Sequence, residues 1–248
     1  MLDKKTDSEI ATLKEGGKIL SQILRAVAEE VRPGITGLEL NQLAEKLIAK
    51  AKAKPSFKNY RGFPSALCVS VNQTVVHGIP NKQALREGDI VGLDLGLKYK
   101  GLYTDMALTV GVGKISKEAQ QLLSVTKKSL EIAISQVGPG KGLEEIGRAI
   151  EKFIKPHGYG IVQDLAGHGV GRAVHEDPLI PNYNTGQKLA KMFPGLVLAI
   201  EPMIIMGGDH HIAVADNNWN VNSQDGSLTA HFEHTVVVTD DGCVILTE

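Results

Sequence analysis

Apolar positions recur along this 248-residue chain with two periods. A period near 3.6 marks four helices. Residues 8–31 carry Ile10, Leu13, Leu20, Leu24 and Val27 on one stripe, with Ser8 as the expected N-cap and Arg32-Pro33-Gly34 as the stop. Residues 36–53 repeat the pattern with Leu40, Leu43, Leu47 and Ile48 inward, and Pro55 follows. Residues 116–137 form a third helix that ends in Gly138-Pro139-Gly140, and residues 142–154 a fourth before Pro156. Strand-like runs fall mostly after each helix pair: 67–72 and 90–110 after the first, then 196–205, 211–215, 219–222 and 235–246 after the second.

The two helix pairs resemble each other. Pro33-Gly34 and Pro139-Gly140 lie 106 positions apart, and each is followed by a Gly-Leu-Glu and then a Glu-Lys-x-Ile ending. A repeat of that length is a folding unit rather than a solenoid period. It divides the chain into halves of about 8–110 and 116–246, each with two helices covering sheet. An α+β arrangement follows, with one sheet, both helix pairs on its outer face, and room for a site between the halves on the other face.

The run 90–110 has a polar centre, Lys98-Tyr99-Lys100-Gly101, between apolar flanks, which predicts a β-hairpin. With Tyr99 and Lys100 at the turn, residues whose numbers sum to 199 face each other, so Asp94 opposes Asp105. Two carboxylates placed so within an apolar run are tolerated if one is protonated or if a cation lies between them. A register slip of one residue would instead send them to opposite faces.

Composition narrows the field. Lys and Arg total 27 against 28 Asp and Glu, a net charge of −1, so no global field favours nucleic acid or anionic membrane. Cys68 and Cys243 are the only cysteines, which excludes a disulfide framework or a thiolate zinc cluster. The first ten residues are charged and lack the apolar core of a secretion signal. No apolar run approaches the ~20 residues needed to span a bilayer. A cytoplasmic protein is expected.

Further costly residues cluster in the second half. Glu201 ends the apolar run Leu196–Ile200, held extended by Pro202, and Glu233 opens the run His234–Val238. His168 sits between glycines in Ala-Gly-His-Gly-Val-Gly, His175 follows seven residues on, and His77 precedes Gly78 after a β-type run. His210 and His211 read as exposed, and His234 as facing away from Glu233. Taken singly, each carboxylate fits a salt bridge at a strand end and each histidine an ordinary loop or core position. Taken together, Asp94, Asp105, His168, Glu201 and Glu233 suit a pair of divalent ions, since two such charges balance four carboxylates. A site of that kind activates a bridging water and polarises a carbonyl. Oxygen-rich ligation allows manganese, iron, cobalt or zinc. Other chemistries fail on spacing: Leu108 breaks the phosphate-loop pattern ahead of Gly113-Lys114, and no Gly-x-Ser-x-Gly occurs.

The sequence resembles the type I methionine aminopeptidases in their short bacterial form. The resemblance rests on Cys68–Asn72 with His77-Gly78-Ile79-Pro80, on Asp94 with Asp105, and on Gly167-His168-Gly169-Val170-Gly171 with His175-Glu176-Asp177-Pro178. Glu201-Pro202-Met203, Trp219 and Glu233-His234-Thr235 complete it. It spans nearly the whole chain, with the motifs in the family's order. It implies the pita-bread fold, with halves related by a pseudo-two-fold axis in a single domain over 1–248. It implies Asp94, Asp105, His168, Glu201 and Glu233 as ligands of two divalent ions (cobalt, manganese, iron, zinc or nickel). Asp94 would be bidentate to one ion and His168 would bind the other, completed by Glu201, with Asp105 and Glu233 bridging. His77 and His175 match non-ligand histidines that contact the substrate backbone. Tyr60, Phe63, Cys68 and Trp219 match the apolar wall of the methionine pocket, while Phe57, Phe63 and Val174 depart from the residues many relatives carry. Asn72, Thr74 and Thr229 match a monovalent-cation site.

The activity so implied is removal of the N-terminal methionine from chains with a small second residue, through attack of a metal-bridging hydroxide, with Glu201 relaying the proton and His175 stabilising the oxyanion. The partners implied are nascent polypeptides and Met-peptides, with the ribosome as a candidate contact, a monomeric state, and no nucleic acid or membrane. Proline-directed relatives share the ligands, but they carry a sizeable extra N-terminal domain and place their last two glutamates closer than the 32 positions between Glu201 and Glu233. A type II enzyme would carry a long insertion between His175 and Glu201. A catalytically dead binding module would have lost ligands, and all five are present.

Overall fold

Thr6 and Thr36 start the first two helices in the same way. Each hydroxyl accepts from the backbone N–H three residues on, while Glu9 or Glu39 accepts the threonine's own N–H at 2.8 Å. The first helix, α1 (Asp7–Glu29), is therefore capped by Thr6 and not by Ser8. Helix α2 is Gly37–Lys50, and α3 (Lys117–Ser135) is capped by Ser116. Helix α4 (Glu144–Ile154) begins two residues later than the glycine that announced it and has no side-chain cap. The computed structural model describes residues 2–248.

The strands, in order, are β1 (Lys54–Pro55), β2 (Leu67–Val71), β3 (Thr74–Val76), β4 (Ile90–Tyr99), β5 (Leu102–Gly111), β6 (Gly160–Ile161), β7 (Ala166–Gly169) and β8 (Glu176–Pro181). They continue as β9 (Val197–Ile200), β10 (Met203–Ile205), β11 (Ile212–Val214), β12 (Val221–Ser223), β13 (Thr229–His231), β14 (Glu233–Val238) and β15 (Cys243–Ile245). Among the described residues they form one nine-stranded sheet and two of three strands, not the single sheet expected. The large sheet runs β1-β4-β5-β14-β9-β7-β8, with β2 on β4 and β15 on β14. The small ones are β13-β10-β6 and β11-β12-β3. All pairings are antiparallel.

The apolar run 196–205 supplies strands to two sheets. It breaks at Glu201-Pro202, because Pro202 has no N–H to continue the ladder. The run 219–222 forms its strand two residues later, as Val221–Ser223, which leaves Trp219 outside it. The run 235–246 splits into β14 and β15, joined by a turn.

The hairpin β4–β5 turns at Lys100-Gly101, with Gly101 at φ +93°. Facing residues sum to 201, so Asp94 opposes Ala107 and Asp105 opposes Gly96. The expected direct pairing of the aspartates is thus off by one diagonal step. Side chains alternate with period two, so a shift by two keeps both aspartates on one face.

Helices cover the other face. Leu20, Leu24, Leu40 and Ile48 of α1 and α2 pack on Val91, Leu93, Leu95 and Leu97. Leu122, Leu130, Ile146 and Ile150 of α3 and α4 pack on Leu198, Ile200, Val236 and Val238. At ~1.5–3 kcal/mol for each fully buried aliphatic side chain, these layers fix which face of β4, β9 and β14 points away from the helices.

Candidate metal centre

The registers alone put five expensive side chains on that uncovered face. Asp94 opposes Ala107 on β5, Asp105 is two residues from Ala107, and Glu233 on β14 also opposes Ala107. Thr235 opposes Ala199 on β9, which in turn opposes His168 on β7. Glu201, two residues past Ala199, keeps the same parity. The sheet order β4-β5-β14-β9-β7 therefore carries Asp94, Asp105, Glu233, Glu201 and His168, one from each of five adjacent strands or its immediate end.

Their atoms converge. Asp105, His168 and Glu233 each offer a ligand atom within 4.8 Å of the others. His168 Nε2 lies 3.4 Å from Glu201 Oε1. His168 Nδ1 lies 2.9 Å from the Gly169 carbonyl oxygen, which can only accept, so Nδ1 carries the proton and Nε2 presents a lone pair. That is the tautomer a metal requires, fixed by the backbone. Asp105 is pinned by Thr235, whose hydroxyl accepts the Asp105 N–H at 2.9 Å and donates to its carbonyl at 2.7 Å. Asn182 Nδ2 donates to the Glu201 carbonyl at 3.0 Å.

The charges of this set are not balanced by protein. Burial raises the pKa of Asp94 to about 7, with Glu201 adding to it, and burial raises Glu201 to about 7. Asp105 and Glu233 are pushed well above the carboxylate range, first by burial, then Asp105 by the Asp94 and Glu201 charges and Glu233 by those of Asp105, Glu201 and Asp94. Among the described residues, Asp94 Oδ1 and Glu233 Oε1 are buried with no hydrogen-bond partner. Such orphaned oxygens cost ~1–3 kcal/mol each. Four clustered carboxylates, two orphaned oxygens and one imidazole lone pair fit divalent cations.

The flanking histidines are neutral. His77 has its pKa lowered to about 4 by burial. Its φ of +59° is rare outside glycine, and a Cβ on the adjoining Gly78 would collide with the Val69 carbonyl. His175 is lowered to about 4 by desolvation and then by His168 and Arg61. It lies at the mouth of the site, ring centroid 4.3 Å from that of His168, with Nδ1 3.0 Å from the Tyr60 hydroxyl.

All eleven sequence-derived residues, the five above with His77, His175, Tyr60, Phe63, Cys68 and Trp219, line one cavity of about 410 Å³. Its apolar wall adds Phe57, with Val174 packed behind, and Phe63 meets Trp219 edge-on at 5.1 Å. Gly96 admits this wall: a Cβ there would overlap Ser56 Oγ and lie 2.7 Å from Phe57 Cε1. The Cys68 thiol is pushed up by burial and by Asp94, so it stays protonated. His234 points away, its Nδ1 2.9 Å from Thr247 Oγ1, as expected. His211 is exposed, but His210 is half-buried and stacks on it at 4.1 Å.

Sequence reasoning missed His231. It is buried, lines the same cavity, and places Nε2 3.5 Å from Glu201 Oε2. A signal was present, since it precedes Glu233 by two residues in an extended run.

Five ligand-type side chains on one sheet face beside an apolar pocket define a metallohydrolase class of site. The chain belongs to metallopeptidase family M24, whose description it matches over residues 11–240. It is 42% identical to a methionine aminopeptidase of Clostridium perfringens over 247 residues, 100% of this chain and 99% of that one. The crystal structure of methionine aminopeptidase from Thermotoga maritima superposes with a TM-score of 0.97 at 42% identity, covering 100% of both chains. The prolidase of Pyrococcus horikoshii shares the pita-bread fold at a TM-score of 0.79 and 22% identity. It is longer: the match covers 99% of this chain and 63% of that one.

Proposed function

We propose that the protein is a metal-dependent aminopeptidase that removes the N-terminal methionine from peptides and nascent chains whose second residue is small. The observation that carries the reading is the set of four clustered carboxylates, two of them with orphaned buried oxygens, opening directly onto an apolar pocket. Asp94, Asp105, His168, Glu201 and Glu233 would hold two divalent ions. Bound there, the ions polarise the scissile carbonyl and supply a water nucleophile at neutral pH.

The chain's own residues do the rest. Glu201 takes up the proton released on attack and passes it to the leaving amine, a task suited to a largely buried carboxylate at the edge of the ligand cluster. His175 Nδ1 lies 3.0 Å from the Tyr60 hydroxyl, and with that hydroxyl donating, His175 would keep an Nε2–H to offer the oxyanion. His77 orients the amide of the second residue. The wall of Tyr60, Phe63, Cys68 and Trp219, extended by Phe57, encloses a linear thioether and excludes water around it.

Asn72, Thr74 and Thr229 are assigned a monovalent cation. The Thr229 hydroxyl lies 3.0 Å from both the Asn72 and the Thr74 carbonyl oxygens, and its single proton cannot serve both. The chain acts as one catalytic unit, and each half contributes ligands. The setting proposed is a cytoplasmic monomer working on chains as they leave the ribosome. No described helix is long and apolar enough to cross a membrane.

Met-Gly and Met-Ala peptides, assayed with added divalent metal against Asp94→Ala and His168→Ala variants, test the reading. The wild-type chain cleaves them and both variants lose at least ~100-fold in kcat/KM. Undiminished turnover by the variants, or a preference for X-Pro substrates, contradicts it.

A further inference from the structure

Glu201 is held between two histidines, and only one belongs to the ligand set. His168 Nε2 stands 3.4 Å from Oε1, and His231 Nε2 stands 3.5 Å from Oε2. We infer that His231 is a positioning residue for Glu201: it donates Nε2–H to Oε2 and so holds Oε1 beside His168 Nε2.

Four observations carry this. His231 Nε2 is buried and has no hydrogen-bond partner among the described residues, and Glu201 Oε2 stands 3.5 Å from it. A short closure would satisfy it, and a buried ring nitrogen left unpaired costs ~1–3 kcal/mol. The main chain that carries the ring is held in place on both sides. His231 N–H donates to Thr109 Oγ1 at 3.0 Å, and the Thr109 hydroxyl donates to the His231 carbonyl at 2.8 Å. The strand register sets the direction, because His231 opposes Met203, two residues beyond Glu201. Finally, the ligand atoms that lie close together are those of Asp105, His168 and Glu233. His231 meets the other oxygen of Glu201, which suits a hydrogen-bond donor better than a sixth ligand. A carboxylate fixed by a neutral donor is both a better-oriented ligand and a better-defined proton acceptor.

The inference rests on the proposed metal site and is tested separately from it. Chelator-treated full-length protein is titrated with cobalt(II) by calorimetry and by visible absorption, for the wild type, His231→Leu and His231→Gln, and the metal-free thermal midpoints are recorded alongside. The leucine fills the space without a donor, and the glutamine restores a neutral N–H donor of similar reach. His231→Leu is expected to keep its metal-free midpoint, to bind the Glu201-side cobalt about 10- to 100-fold more weakly, and to show an altered cobalt spectrum. His231→Gln is expected to recover most of the affinity and the wild-type spectrum. A leucine variant that binds cobalt like the wild type overturns the inference. So does a glutamine variant as weak as leucine, which would mark the imidazole as a ligand. A wild-type protein that binds no cobalt overturns the metal site itself, and the inference with it.

Discussion

Asp94 illustrates how a single residue was partly legible. Its apolar surroundings marked it as costly, and the period of two put it on the same face as Asp105 even though the expected pairing was wrong by a diagonal step. His168 was visible only through its glycines, because β7 is short and has no apolar alternation to announce a strand. His231 lay just before the run that Glu233 opens, and only its spacing of two from Glu233 placed it on the same face. At this scale, the reaction can be divided between residues. His175→Ala is expected to lower kcat by about 10²–10³ with a small change in KM, the pattern for a donor used mainly in the transition state. Steady-state kinetics on a Met-Ala peptide check it, and an effect confined to KM contradicts the oxyanion role.

Elements carry the geometry, and one of them is buttressed from a distance. The segment between β7 and β8 bears His175 and is held by the N-terminal arm. Lys5, buried, donates to Glu176 Oε2 at 2.7 Å, while Glu176 Oε1 accepts the backbone N–H groups of Arg172 and Ala173. Arg172 is tied in turn to Asp3 and to Glu9 of α1, and Tyr103 N–H donates to the Gly171 carbonyl at 2.7 Å. Helix boundaries in this region could be read from capping residues, but the arm's docking could not, since a lysine in a charged N-terminal run looks solvated until its partner 171 residues away is known. Lys5→Met leaves one Glu176 oxygen without its donor. It is expected to destabilise the protein by about 1–3 kcal/mol and to lower kcat/KM on Met-peptides, as measured by denaturant unfolding and kinetics. Gly96→Ala acts on the hairpin: the new methyl pushes Phe57 into the pocket, so KM for Met-peptides rises while metal content stays at the wild-type level.

At the scale of the whole molecule, the nine-stranded sheet carries helices on one face and uncompensated charge on the other, and stability should report this. In the metal-free protein, Asp94 and Glu201 bind protons up to about pH 7, and Asp105 and Glu233 hold theirs well above the ordinary carboxylate range, whereas the unfolded chain releases them near the ordinary carboxylate values. These groups stabilise the fold at low pH, and the contribution is lost as pH rises through their folded values. His77, His175 and His234, lowered to about 4, act oppositely between about 4 and their ordinary 6.5. Above pH 6.5 only the carboxylates remain, so the metal-free midpoint should fall as pH rises from 6.5 through about 7. In metal-loaded protein the carboxylates are ionised throughout and the fall should vanish. Thermal scans with and without chelator check the sign. Near neutral pH, metal at 100 times its dissociation constant adds ~2.7 kcal/mol, a rise of about 5–10 °C for a chain of this size. Sequence made the class of fold and the five costly residues readable. The division into three sheets was not readable, because it turns on where Pro202 ends one ladder and the next begins.

The central claim is that the carboxylate cluster exists to hold metal for hydrolysis at a methionine N-terminus. Its most direct test is to strip the wild-type protein with chelator, titrate back one divalent ion at a time, and follow bound metal and Met-Ala cleavage in the same samples. Turnover should disappear on chelation and return in proportion to metal bound, with Asp105→Asn binding little and cleaving little. Full turnover by protein shown to be metal-free would contradict it.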